Sequence, residues 1–199
     1  MQYAISKAEI NQLPLLQFSE AVHVIRKDSE LEAALIGLAD NDLLGFDIET
    51  RPAFRKGQCY LPSLLQLAGR EAVYLFQLRR LTDLRPLFAL LEDARLLKAG
   101  VSIRHDLAEL QGLQPFEPAG FCDLGKMAKA KGFRNTGLRP LAALLLGLRV
   151  GKGAQVTNWA RDQLTPRQIT YAAIDAWVSR RLYQAVLDAP VNPEPKIRR

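Results

Sequence analysis

Cysteine and histidine are nearly absent from this chain of 199 residues, which contains two of each. Two cysteines are too few for a disulfide framework, and Cys59 and Cys122 lie too far apart in the sequence to form a four-ligand zinc site. The two histidines, His23 and His105, nearly exclude a histidine-rich metal centre. We therefore expect any bound metal to be a hard cation held by oxygen ligands.

The sequence also lacks a hydrophobic run of the roughly 18 residues that a membrane span needs. Its longest candidate, residues 138–148, is interrupted by Arg139 and Pro140. The first segment of the chain contains charged residues and no continuous apolar stretch, so we expect no secretory signal and a cytoplasmic location.

Acidic residues are outnumbered by basic ones, with 21 Asp and Glu against 27 Lys and Arg and a formal net charge of +6. A positive surface attracts polyanions and releases their counterions on contact, which favours a nucleic-acid partner. A charged surface that serves only solubility is the alternative. The length predicts a single domain over residues 1–188, followed by a flexible, basic and proline-rich tail over residues 189–199.

Strand-like and helix-like segments alternate along the chain, which predicts an α/β domain with a mixed sheet and helices on both faces. A capping box of Ser29 and Glu32 predicts the start of one helix, and Thr165, with Gln168, predicts the start of the last, which runs to about Asp188. Strands are predicted at 23–25, 43–49, 64–68, 72–76 and 96–99, with a less clear one around Phe121. Further helices are predicted at 84–91, 103–110, 124–131 and 138–146.

Two carboxylates project from one side of the predicted strand 43–49. Asp47 and Glu49 are two residues apart, so their side chains lie on the same face with Cβ atoms about 7 Å apart. An unpaired charge is costly inside a sheet. The alternative is a strand end at the rim, where solvent keeps both groups charged.

Two further acids lie on the apolar faces of predicted helices. Asp106 shares the stripe of the helix 103–110, and Asp175 shares the stripe of the last helix, one turn after Tyr171. Buried salt bridges are one alternative, and a metal-dependent HD phosphohydrolase is another, although it needs more histidines than the chain has. Two divalent cations about 3.5–4 Å apart need several shared carboxylates, which explains all four acids together.

The segments around these acids resemble the three motifs of the DEDD 3′→5′ exonucleases, in their tyrosine (DEDDy) form. Residues 46–50 (FDIET) resemble the first motif, residues 98–101 (KAGV) followed by Asp106 the second, and residues 171–176 (YAAIDA) the third. The similarity spans residues 22–187 and is strongest to the ribonuclease D branch, in particular the exonuclease domain of the Werner syndrome helicase.

The resemblance implies a ribonuclease H-like fold with a mixed five-stranded sheet. It implies two Mg²⁺ or Mn²⁺ ions held by the four acids Asp47, Glu49, Asp106 and Asp175. In the implied mechanism Tyr171 positions the attacking water, and hydrolysis of the terminal phosphodiester of DNA or RNA releases a nucleoside 5′-monophosphate.

Candidate substrate contacts follow from position alone. Thr50 and Arg51 come just after the acidic strand, and Arg104 lies at a helix start near the proposed cleft. Arg139, at the start of another helix near the same cleft, is interpreted as an ordinary surface charge rather than a contact, and Trp159 as an anchor for its loop. A catalytically silent nucleic-acid-binding or scaffold domain of the same fold is the alternative function, although such a domain has no physical need for these costly acids.

Overall fold

A mixed sheet with helices on both faces forms the centre of the molecule, as a computed structural model describes it for residues 1–53, 55 and 57–192. The strands are β1 (Ala21–Ile25), β2 (Leu43–Thr50), β3 (Pro62–Ala68), β4 (Ala72–Gln77), β5 (Leu97–Gly100) and β6 (Phe121–Asp123). The helices are α1 (Lys7–Gln12), α2 (Asp28–Ala39), α3 (Arg85–Glu92), α4 (Arg104–Gln111), α5 (Leu124–Ala130), α6 (Leu138–Leu146) and α7 (Pro166–Asp188), with a 3₁₀ turn at Leu78–Arg80.

The strand order is β1-β4-β3-β2-β5-β6. The strands β2, β3 and β4 form an antiparallel meander, whereas β1, β5 and β6 pair parallel to their neighbours. The predicted fold class is therefore confirmed, but the expected count of five strands is wrong, because the described sheet has six. The short strand β6 is only three residues long, so it shows no readable alternation, and its pairing with β5 defines it.

The two faces of β2 meet different parts of the molecule. Leu44, Phe46 and Ile48 are buried in a core shared with α2, α3 and α4. The opposite face, which carries Gly45, Asp47 and Glu49, lies against α7. The strand alternation predicted from the sequence thus separates an apolar face from an acidic one.

Gly45 sets how closely α7 approaches the sheet. A Cβ atom at this position would lie 1.8 Å from the backbone oxygen of Ala176. Only a residue without a side chain allows this contact, so the helix backbone rests directly on β2. Because Asp47 follows Gly45 by two residues and Asp175 directly precedes Ala176, the same contact brings the two acids together.

Of the two helix starts predicted from capping residues, that of α7 is confirmed and that of α2 is wrong. In α7, Thr165 Oγ1 accepts a hydrogen bond from Gln168 N (3.2 Å) and Gln168 Oε1 accepts one from Thr165 N (3.0 Å), as predicted. The predicted cap of α2 is wrong: the helix begins at Asp28, and Glu30 Oε2 accepts bonds from Arg26 N and Lys27 N. The short helix α1 was not predicted, because none of its residues is buried and it has no apolar stripe.

The end of the described chain packs on the domain. Tyr3 Oη donates to Pro190 O (2.9 Å), and Asn192 N donates to Lys131 O (2.8 Å). Residues 193–199 of the predicted tail lie outside the described residues, so the boundary at residue 188 stays a prediction.

Both cysteines are free. Within the described residues, none of the helices has the length and apolar character needed to cross a membrane.

Candidate active site

Three carboxylates meet at the contact between β2 and α7. One oxygen from each of Asp47, Glu49 and Asp175 lies within 4.8 Å of the others. They line a cleft of about 400 Å³ together with Tyr171. Asp47 and Glu49 are half-buried, and the Asp175 residue is only 6% exposed. The cleft therefore concentrates negative charge where water has limited access.

Burial raises the pKa of every acid in the cluster, and neighbouring charges add to this for Asp47 and Glu49. Burial, and then the charges of Asp175 and Asp106, raise the pKa of Asp47 well above its usual value. Burial and the charge of Asp47 raise the pKa of Glu49 to about 9. For Asp175, burial raises the pKa to about 6, against the lowering effects of hydrogen bonding to Tyr171 and of the Arg139 charge. Without a cation, the cluster holds protons near neutral pH.

The alternatives to a metal site receive no support from the described residues. Lys98 Nζ donates to Asp93 O (2.8 Å), away from the acids. His105 is mostly exposed and pairs with Glu109 (3.2 Å), and His23 lies in the edge strand β1, so no histidine cluster forms. The ion pairs of the described residues include none of the clustered acids. Oxygen-only donors at this spacing fit hard divalent cations, and this cluster can hold metal ions.

Asp106 lies in the first turn of α4, beside the cluster rather than in it. Its carboxylate is not among the three that approach within 4.8 Å of one another. Its charge nevertheless raises the pKa of both Asp47 and Glu49, so it lies within electrostatic reach of them. Its own pKa rises to about 6, mainly through burial and then through the charge of Glu109. The structure thus brings three of the four predicted ligands together and leaves the fourth nearby.

Tyr171 lies one turn before Asp175 on the same face of α7, as the helical spacing predicts. Burial, followed by the charge of Asp175, raises the pKa of its hydroxyl above the usual 10, so the phenol stays protonated. Its ring packs on Trp159, with 6.1 Å between the centroids. Trp159 is 1% exposed and donates from Nε1 to Gln155 O, which is consistent with its interpretation as an anchor.

The predicted substrate contacts lie outside the lining of the acidic cleft. Thr50 Oγ1 donates to Glu109 Oε2 (3.0 Å), and the Arg51 guanidinium stacks on the Tyr60 ring at 4.9 Å. Arg104 is exposed and lines a separate cleft of about 680 Å³ beside β6. None of these three residues is therefore part of the described lining of the acidic cleft, although Thr50 directly follows Glu49.

Several residues that line the acidic cleft were not identified from the sequence. Ser179 is buried one turn after Asp175 on α7, and its spacing of four residues could have revealed it. Gln155 comes from the loop before α7 and carries no sequence signal. Arg139 was expected near the cleft but as a surface charge; it is half-buried and lines the cleft.

A mixed α/β sheet with this helix arrangement and an acidic cleft beside its central strand defines a ribonuclease H-like domain with a metal-binding site. Residues 22–188 match a family model described as 3′-5′ exonuclease. The chain belongs to this 3′-5′ exonuclease family.

Individual relatives agree with this assignment. The chain is 36% identical to ribonuclease D of Haemophilus influenzae over 135 residues, which is 65% of this chain and 33% of that protein. It is 29% identical over 184 residues, 87% of this chain, to the bifunctional 3′-5′ exonuclease/ATP-dependent helicase WRN of Mus musculus, of which it covers 13%. The chain thus spans a third or less of the length of these two relatives.

Solved structures show the same fold. The EXO domain of Nibbler from Aedes aegypti superposes with a TM-score of 0.77 at 25% identity, over 86% of this chain and 90% of that one. Ribonuclease D of Escherichia coli gives a TM-score of 0.73 at 22% identity, over 86% of this chain and 46% of that one.

Proposed function

We propose that this domain is a metal-dependent 3′→5′ exonuclease that removes nucleotides from the ends of DNA or RNA and releases nucleoside 5′-monophosphates. The observation that carries the proposal is the cluster of Asp47, Glu49 and Asp175, whose oxygens lie within 4.8 Å of one another beside Tyr171. Membership of the 3′-5′ exonuclease family supports it. We assign Mg²⁺ or Mn²⁺ as the cofactor, with Asp106 as a further acid that holds it.

In the proposed reaction, the acids of the cleft hold the metal ions and Tyr171 positions the attacking water. Divalent cations in such a site lower the pKa of a bound water and stabilise charge on a leaving oxygen. The protonated Tyr171 hydroxyl reaches the cleft and orients the attacking water through a hydrogen bond. The water oxygen bonds to the terminal phosphorus, and the bond from phosphorus to the 3′ oxygen of the preceding nucleotide breaks. The water gives a proton to solvent, and the released 3′ oxygen takes one up.

Nucleic acid is the proposed partner because the chain is basic, with a net charge of +6, and the relatives point the same way. A solved structure of ribonuclease D from Trypanosoma brucei is described as a complex with RNA U12. Water attacks a phosphodiester bond, which DNA and RNA share, so the proposal covers both. A cytoplasmic location, a single unit over residues 1–188 and substrate contacts by Thr50, Arg51 and Arg104 remain predictions.

A labelled-strand assay tests the function. A single strand labelled at its 5′ end, incubated with Mn²⁺ or Mg²⁺, is expected to give a ladder that shortens from the 3′ end. EDTA and the variant Asp47→Ala should each abolish the ladder, whereas Asp40→Asn, which changes an exposed acid at the C-terminal end of α2, should not. Binding without metal-dependent shortening would instead favour a silent scaffold domain. Matched DNA and RNA strands in the same assay establish the substrate preference.

A further inference from the structure

One guanidinium projects into a cleft that is otherwise lined by carboxylates and neutral groups. Among the described residues that line the cleft, Arg139 alone carries a fixed positive charge. It lies in the first turn of α6, two residues after the N-cap Gly137, and α6 packs along α7. The start of this helix therefore places the Arg139 guanidinium close enough to Asp175 for its charge to lower the pKa of that acid.

Arg139 is held in place by only part of its hydrogen-bonding capacity. Its Nη2 atom donates to the backbone oxygen of Gly151 at 2.8 Å. A guanidinium has several N–H donors in a planar fork, so one bond to a carbonyl leaves the others available. The ion pairs within the described part of the chain do not include Arg139, so none of the clustered acids lies within ion-pair distance of its guanidinium, although its charge lowers the pKa of Asp175.

The charges in the cleft indicate what an arginine at position 139 can bind. A positive charge beside carboxylates opposes the binding of metal cations, so metal binding alone gives no reason for it. The positive charge of Arg139 becomes favourable once a further anion enters the cleft. A phosphodiester is that anion, and a guanidinium matches phosphate oxygens in both charge and geometry.

We propose that Arg139 is a catalytic residue that contacts a non-bridging oxygen of the scissile phosphate and stabilises the charge that grows there during hydrolysis. This inference rests on the exonuclease function proposed above. The bond to Gly151 keeps the guanidinium in position before the substrate arrives, so little ordering is needed on binding. The fork geometry also predicts that lysine replaces arginine only in part.

Kinetics of the full chain with saturating Mn²⁺ test the proposal. Removing a preorganised donor of this kind lowers kcat about 10²-fold or more. We therefore expect such a loss for Arg139→Met and a smaller one for Arg139→Lys. Arg149→Met is the matched control, because Arg149 is also half-buried and donates from its guanidinium to a backbone oxygen, that of Leu13, but does not line the cleft. It should keep wild-type kcat.

Two further readouts separate substrate contact from a structural role. Calorimetric titration of the metal-free proteins with Mn²⁺ should show unchanged or tighter binding for Arg139→Met. The second readout uses strands whose terminal linkage is one or the other phosphorothioate isomer. One isomer should slow the wild type. On that isomer, the Arg139→Met substitution should lower activity by a smaller factor than it does on the normal strand.

The results distinguish a failure of the proposed exonuclease function from a failure of the proposed role of Arg139. A wild-type protein that does not shorten strands overturns the exonuclease function and this inference with it. An active wild type with Arg139→Met within threefold of its kcat overturns this inference alone. Weaker Mn²⁺ binding by Arg139→Met, or equal losses on both phosphorothioate isomers and the normal strand, would also overturn it, because either result indicates a structural role.

Discussion

Replacing Glu49 with glutamine should stabilise the metal-free protein, although it should destroy the metal site. The pKa of Glu49 rises from its usual 4.5 to about 9, because the group is buried beside Asp47. Between these two values the folded protein retains a proton that the unfolded chain has released. Raising the pH through this window therefore lowers the free energy of unfolding, whereas below pH 4.5 both states are protonated and the effect vanishes. Glutamine has nearly the same shape and does not titrate.

The size of the effect follows from the pKa difference. At pH 7, retaining the proton costs up to about 3 kcal/mol, at 1.36 kcal/mol per pKa unit. Because Glu49 is partly exposed, solvent screening lowers this cost to about 2 kcal/mol. For a domain of this length each kcal/mol changes the Tm by about 2–4 °C. We therefore expect Glu49→Gln to raise the Tm of the metal-free protein by about 4–8 °C at pH 7.

Thermal unfolding followed by circular dichroism in EDTA measures this change at several pH values. The gap between Glu49→Gln and wild type should widen from pH 5 to pH 8, while the control Glu20→Gln, at an exposed position, should follow the wild type. Adding Mn²⁺ should raise the Tm of the wild type and have little effect on Glu49→Gln. A lower Tm for Glu49→Gln in EDTA, or a gap that does not change with pH, would refute the reasoning.

Four further predictions follow from the same geometry. Mn²⁺ affinity measured by calorimetry should rise from pH 6 to pH 8.5, because metal binding displaces the protons held by the cluster; a constant affinity would contradict this. Tyr171→Phe should lower kcat about 10²-fold and leave Mn²⁺ affinity unchanged, and undiminished turnover would remove its proposed role. Asp175→Asn should keep its far-UV circular dichroism spectrum but bind Mn²⁺ more weakly, and an unaltered titration would argue against it as a ligand. Gly45→Ala should destabilise the fold by more than about 3 kcal/mol in denaturant titration, because its Cβ would overlap Ala176 O, whereas Gly151→Ala, whose Cβ meets nothing closer than 3.9 Å, should cost far less.

The parts of the fold that local chemistry controls could be predicted from the sequence. The capping residues Thr165 and Gln168 gave the start of α7, and strand alternation separated Asp47 and Glu49 from the apolar face of β2. The position of Asp175 on a buried helix face follows from helical spacing alone. Each of these inferences needs only residues within a few positions of one another.

Other features depend on contacts between distant segments, which a single sequence does not encode in readable form. The three-residue strand β6 is defined by its pairing with β5, not by its own pattern. The approach of Asp47 to Asp175 depends on the backbone contact at Gly45. Arg139 was placed near the cleft but interpreted as a surface charge, because its burial depends on the packing of α6 on α7, which begins 27 residues after Arg139.

The start of α2 shows that a capping motif does not fix the first residue of a helix. Ser29 and Glu32 satisfy the capping pattern, yet the helix starts earlier, with Glu30 binding the backbone of Arg26 and Lys27. Several acids near a helix start can each satisfy the motif. Only Arg26 and Lys27 separate the end of β1 from the start of α2 at Asp28.

Anomalous diffraction from crystals grown with MnCl₂ tests the central claim most directly. We expect manganese peaks between the carboxylates of Asp47, Glu49 and Asp175, which vanish in crystals of Asp47→Ala. A map without such peaks at saturating Mn²⁺, or one in which arginine or lysine side chains neutralise these acids instead, would contradict the account.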